Sequence, residues 1–129
     1  MTMSSQIEED MMILCHKAYD DGVLLEKPLG SADDMKIWIG IQPWSGGHET
    51  FTVPDQTFKE AQILTYFDGH PHYSMVRSKR DDAVNCLLTG MGWTVLRFLY
   101  RRNTKKLRLI FLQSIIETVN KKIKLIEVK

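Results

Sequence analysis

Two aspartates carry the first chemical suggestion. In Val53-Pro54-Asp55 and in Tyr66-Phe67-Asp68-Gly69-His70-Pro71-His72, each acid follows a stretch that reads as strand, and twelve residues separate Asp55 from Asp68. Acids at the ends of adjacent strands can converge on one hard cation. Carboxylate oxygens suit Mg²⁺ or Mn²⁺, and such an ion binds a phosphate oxygen and lowers the pKa of an attacking water. That is the minimal equipment for phosphodiester hydrolysis. Asp and Gly also follow strands for turn reasons, so the spacing alone leaves both readings open. His70 and His72 alternate about Pro71; if extended they share a face beside the acids, and otherwise they are exposed turn imidazoles. His16 and His48 have no partner pattern.

Cations follow the acids along the chain. Arg77, Lys79 and Arg80 lead into a helix, where outward-facing N–H groups and positive side chains together suit a phosphate strand. Arg77 and Asp81 also stand at i, i+4, and for Asp81 a paired, solvated first turn is the simpler reading. Arg101, Arg102, Lys105 and Lys106 form the densest cationic run, and DNA binding through them would weaken steeply with salt. Trp93 suits packing, whereas Trp44, in a Pro-Trp-Ser-Gly-Gly turn, is free to stack on a base or a partner.

These residues need elements to position them. Ile7, Met11, Leu14, Cys15 and Ala18 trace one stripe of a 3.6-residue period, which predicts a helix over residues 5–21 with Ser5 at its cap and Glu8 as the capping-box partner. Residues 35–41 alternate, and a glycine-rich turn joins them to 50–53, the pattern of a hairpin. Ala61 to Phe67 is a nearly continuous apolar run, a central strand covered on both faces. A helix starting near Ser74 or Ser78 has the stripe Ala83, Val84, Leu87, Leu88, Met91 and ends at Gly90 or Gly92. Trp93 to Tyr100 is a further strand. Strand, helix, strand within this length predicts a right-handed parallel crossover, hence a mixed sheet. Thr104 caps a last helix, with the segment from Ile123 to Val128 open between helix and strand.

A length of 129 residues, 43% of them hydrophobic and 26% charged, fits one globular domain spanning 1–129. No apolar run approaches the roughly 20 residues of a membrane span, and the first ten residues lack a signal-peptide pattern, so a cytoplasmic, intracellular address without membrane attachment is expected. Cys15 and Cys86 both fall within helical patterns and read as reduced core thiols. The net charge of +1 hides an asymmetry: residues 1–34 hold eight acids against Lys17 and Lys27, which leaves about seven excess positive charges elsewhere. A basic face of that kind suits a polyanion, and the two opposite surfaces also suit pairing in a homodimer.

The segments VPDQTF, ILTYFDGHPHY and RSKRDDAVNCLLTGMGWTVLRF, within about residues 50–100, resemble the PD-(D/E)xK nuclease superfamily, in its small branch related to very-short-patch-repair endonucleases. Gly92-Trp93-Thr94-Val95-Leu96-Arg97-Phe98 fits in full. The resemblance implies a restriction-endonuclease-like α/β domain, α-β-β-β-α-β-α, with a mixed sheet flanked by helices. It further implies a DNA endonuclease in which Asp55 and Asp68 hold Mg²⁺ or Mn²⁺, Glu8 assists, and Lys79, Arg80, Arg101, Arg102, Lys105 and Lys106 contact DNA. Two departures stand out. On one mapping Tyr66 occupies the position of a Glu. Read the other way, Asp68-x-His70 puts a histidine where the Lys beside the attacking water stands. Either mapping removes one customary group, and the role of the Lys is left to His70 or Lys79. A tyrosine cannot serve as a Mg²⁺ ligand at neutral pH, so a non-catalytic DNA-binding or dimerisation module is the alternative.

Overall fold

The computed structural model describes residues 6–30, 36–69 and 75–128, the side chains of 75–78 excepted. In chain order the elements are α1 (Gln6–Asp20), β1 (Leu29–Gly30), β2 (Ile37–Ile41), β3 (Glu49–Thr52), β4 (Gln56–Phe58), β5 (Ile63–Gly69), α2 (Met75–Gly90), β6 (Thr94–Tyr100) and α3 (Lys105–Val128). The chain is mixed α/β. Its main sheet has the strand order β1-β4-β5-β6, antiparallel up to β5 and parallel between β5 and β6, with α2 as the crossover.

The hairpin forms at the expected place but not in the expected sheet. β2 and β3 pair only with each other, with an irregularity between Trp38 and Gly40, where Gly40 takes φ +82°. Ile37 and Ile39 turn inward and pack on Leu64 and Tyr66 of β5 and on Val84 and Leu88 of α2, with Trp44, Trp93 and Val95 at the margin. The hairpin and α2 therefore share one face of the main sheet. The three strands expected before α2 were the two of the hairpin and β5. The structure adds β1 and β4 and puts the hairpin in its own sheet, so the expected order α-β-β-β-α-β-α does not hold.

α1 and α3 cover the other face. Ile7, Met11, Cys15 and Ala18 from α1 meet Phe111, Ile115, Val119 and Ile123 from α3 over Phe58, Ile63 and Phe67 of the sheet. The rings of Phe67, Phe98 and Phe111 adjoin, with the closest pair, Phe98 and Phe111, 4.6 Å apart. One polar group lies within this layer: Gln56 accepts from Thr65 Oγ1 at 3.1 Å and donates to Cys15 Sγ at 3.5 Å, and burial pushes the Cys15 thiol up to about 11. That pairing satisfies Gln56, whereas the equally buried Thr57 Oγ1 of β4 has no hydrogen-bond partner among the described residues. Asn120 of α3 ties down the segment after α1, accepting from Leu25 N at 2.9 Å and donating to Val23 O at 2.7 Å.

Helix ends follow their signals. Leu107 N bonds Thr104 Oγ1, and α3 runs helical through Val128, which settles the open segment as helix. α2 stops where Trp93 N reaches back to Leu88 O beside Gly92, at φ +97°. Its buried stripe is narrower than the sequence pattern: Val84 and Leu88 are buried, while Leu87 and Met91 are exposed. Cys86 is likewise exposed, on the outer side of α2, and is not a core thiol. Among the described residues no helix is long and apolar enough to cross a membrane.

Candidate functional site

β5 is built as a gradient. Its side chains alternate, so Ile63, Thr65 and Phe67 face α1 and α3, and Leu64, Tyr66 and Asp68 face α2 and the hairpin. Along the second set the chemistry passes from aliphatic to phenolic to acidic, and at the acidic end lies a cleft of about 300 Å³. Asp55 enters it from the residue preceding β4, where Pro54 is buried and Asp55 N bonds Thr65 O. α1 contributes Glu8, the end of the hairpin Thr52 and Val53, α2 Asp81, and β6 Arg97. The chain therefore brings Glu8, Asp55 and Asp68 to one place from three separate elements.

Asp55 is the most perturbed of these acids. Burial drives its carboxyl up from near 3.8 to about 7; the bond from Phe67 N to Asp55 Oδ2, at 2.7 Å, opposes this, and the adjacent carboxylates of Glu8 and Asp68 add to it. Glu8 lines the same cleft, and its side chain beside Asp55 adds to that rise. Glu8 is thus a cleft residue; Ser5, its expected capping partner, lies outside the described residues.

Asp68 has a different environment. Arg97 Nη1 lies 3.4 Å from Asp68 Oδ2 and 3.6 Å from Asp81 Oδ1, Arg97 Nε donates to Asn85 Oδ1 at 2.7 Å, and the guanidinium sits 4.1 Å from the centre of the Tyr66 ring. Tyr66 shares a 2.7 Å hydrogen bond with Thr52, and burial raises its phenol above the usual range. Asp81 belongs to this group and is not the solvated first-turn residue expected from its spacing to Arg77, because Asp81, Val84 and Leu88 share the inward face of α2. At Gly69, next to Asp68, a Cβ would lie 3.2 Å from the Tyr100 hydroxyl, so a larger residue there would need that side chain to shift by a few tenths of an ångström.

The expected DNA contacts lie outside the cleft. Lys79 and Arg80 are exposed on α2, with the Arg80 guanidinium 5.8 Å from the Trp44 ring, so Trp44 is occupied by packing and a cation. Arg101, Arg102, Lys105 and Lys106 are exposed in the turn after β6 and the first turn of α3. They follow Tyr100, which pairs with Gly69, and so stand at the same end of the sheet as Asp68. Arg108 turns inward to Asn103, with Asp10 3.9 Å away. His70 and His72 lie outside the described residues.

The donor chemistry suits a hard divalent ion: Glu8 and Asp55 are the two carboxylates not engaged by Arg97, and Mg²⁺ is commonly held by one or two carboxylates with water and substrate oxygens. Among the described residues no set of three or more His, Cys, Asp or Glu side chains is arranged to hold a metal. A larger depression of about 450 Å³ lies at the opposite end of β5 and β6, between Ile63, Thr94 and α3. Its charged groups, Glu117, Lys121 and Lys122, are neighbours of mixed sign on one helix, so the smaller cleft with its converging half-buried acids is the candidate site.

Arg97 and Asp81 were the residues that sequence reasoning passed over. Their signals were present: Arg97 is the single charge within the strand TVLRFLY, and Asp81 stands i, i+3 and i, i+7 to the buried Val84 and Leu88. Comparison of the chain with family models, with curated proteins and with solved structures gives no match in any of the three.

Proposed function

We propose that the protein is a divalent-metal-dependent endodeoxyribonuclease of the restriction-endonuclease-like, PD-(D/E)xK type. The observation that carries this reading is the convergence of Glu8, Asp55 and Asp68 in one cleft, where burial and the neighbouring acids raise the Asp55 carboxyl. Carboxylates brought together in a half-buried cleft repel one another, and a divalent ion between them would offset that repulsion. Glu8 and Asp55 would hold that ion, and Asp68 completes the acidic wall. The ion when bound supplies charge neutralisation at the phosphate and a more acidic water. The mixed sheet, with a parallel pair joined through α2 and helices on both faces, is compatible with the same reading. Arg101, Arg102, Lys105 and Lys106 at the same sheet end, with Lys79 and Arg80 on α2, would hold the DNA backbone.

Tyr66 favours a second reading, a degenerate nuclease fold that binds DNA or pairs with a second copy without cleaving. Its phenol stands among the acids where a carboxylate would extend the ligand set, and Asp68 is already neutralised by Arg97. Incubation of supercoiled plasmid with purified protein and Mn²⁺ separates the two. Nicking that is lost in Asp55→Ala and in chelator supports the hydrolase; salt-sensitive DNA binding with equal, background-level nicking by parent and variant selects the binding module.

A further inference from the structure

The cleft walls carry four carboxyl groups, from Glu8, Asp55, Asp68 and Asp81, and among the described residues that line it Arg97 is the only cation. A phosphodiester is itself an anion, so some positive group must offset that wall before the substrate can approach. Arg97 is poised unlike a purely structural arginine. Its side chain is 17% exposed, yet its fork does not close on either acid as a bidentate pair; one nitrogen, Nη1, is shared at 3.4 and 3.6 Å between Asp68 and Asp81. Those distances exceed the 2.7–2.9 Å of a well-formed charge-assisted bond. Nε is fixed by Asn85 and the guanidinium lies over the Tyr66 ring, which sets its orientation at the cleft wall.

We infer that Arg97 is the substrate anchor of the cleft, its guanidinium binding a non-bridging oxygen of a nucleic-acid phosphodiester. Asn85 and Tyr66 fix the guanidinium in orientation, and Asp68 and Asp81 hold it from the side without saturating it. Tyr66 is then a platform for the anchor, which gives a phenol in an acidic cleft a purpose that metal ligation does not. The inference deepens the hydrolase reading and rests on it for the identity of the reaction, but phosphate anchoring is measurable without cleavage.

The test uses a fluorescein-labelled DNA duplex, with binding followed by anisotropy over a range of salt in chelator, and nicking of plasmid measured separately with Mn²⁺. The variants are Arg97→Lys and the charge-balanced pair Arg97→Gln with Asp81→Asn, which leaves net charge unchanged, with Asp81→Asn alone as reference. The balanced pair is expected to bind the duplex about tenfold more weakly than Asp81→Asn, as for one charge-assisted bond. The slope of log affinity against log salt should fall by about 1. Arg97→Lys keeps the charge but loses the planar fork, and is expected to weaken binding by about threefold to fivefold. A purely structural Arg97 leaves the salt slope of every folded variant unchanged, and that result overturns the inference. If the parent fails to nick while the variants lose affinity and slope, the hydrolase reading fails and the anchor stands. If the parent nicks and the folded variants bind with its affinity and slope, the anchor fails and the hydrolase reading stands.

Discussion

The two faces of the main sheet divide the work of the molecule. Against α1 and α3 the sheet buries an apolar layer from Ile7 to Ile123, interrupted only by the satisfied group of Cys15, Gln56 and Thr65. Against α2 and the hairpin the buried cluster is smaller, and at Tyr66 it gives way to Asp68, Asp81 and Arg97. The same strand serves both: Phe67 belongs to the core while its neighbours Tyr66 and Asp68 border the cleft. Strand alternation thus lets a stability requirement and a chemical one occupy consecutive residues without sharing a side chain. Stability is concentrated on one side so that the other can hold acids close enough to perturb one another.

Mutations on the two faces should therefore differ in size and in sign. The largest loss is expected for Phe58→Ala, which empties a fully buried position and should cost about 3–5 kcal/mol in urea unfolding, against about 2 kcal/mol for Leu88→Ala on the cleft side. Equal costs would break the division. Next, Asp55→Asn should stabilise the protein by on the order of 2 kcal/mol at pH 8 while abolishing any metal-dependent nicking. The sign follows from the raised carboxyl: its contribution is fully present below its ordinary value near 3.8 and is lost as pH rises through about 7, whereas the amide never ionises. Thermal melts of parent and variant should accordingly converge towards pH 4; a difference that grows on acidification would refute the assignment.

Tyr66→Phe removes the bond to Thr52 and keeps the ring beneath Arg97, for a loss of about 1 kcal/mol. A much larger loss would mean that the hydroxyl organises the cleft beyond its one partner. Smallest of all, Lys105→Ala with Lys106→Ala should change stability by less than about 0.5 kcal/mol, since both side chains are exposed. If they contact phosphates, the same pair should lower the salt slope of DNA binding by about 2. An unchanged slope would remove this patch from the proposed interface.

Local pattern was enough to locate α1, the hairpin, the parallel crossover and both aspartates, because a 3.6-residue stripe and a two-residue alternation are written in contiguous residues. It did not reveal β4, whose Gln56 and Thr57 look like loop residues until Thr65 and Cys15, distant in the chain, supply a setting for the glutamine. The hairpin's departure from the main sheet was equally hidden, since alternation specifies a strand's faces but not its neighbours. In the site, Asp55 and Asp68 were legible from spacing, and Glu8 came only through resemblance, with a local capping role as its rival. Arg97 and Asp81 escaped for a common reason: each was read within its own element, as a motif letter or a helix-turn pair, while their significance arises where β6 and α2 meet. Cys86 and Leu87 show the converse error, residues of apolar type that α2 leaves outside because only a narrow line of it touches the sheet.

Asn120 joins α3 to the segment that follows α1 across more than ninety residues of sequence. Because both helices cover the same apolar layer, neither can complete it alone. Since α1 precedes α3 in the chain, Ile7, Met11, Cys15 and the phenylalanines of the sheet find their partners on α3 only once residues 105–128 are made. A chain extended only as far as β6 would hold that apolar layer open to solvent, the kind of surface through which incompletely folded chains associate.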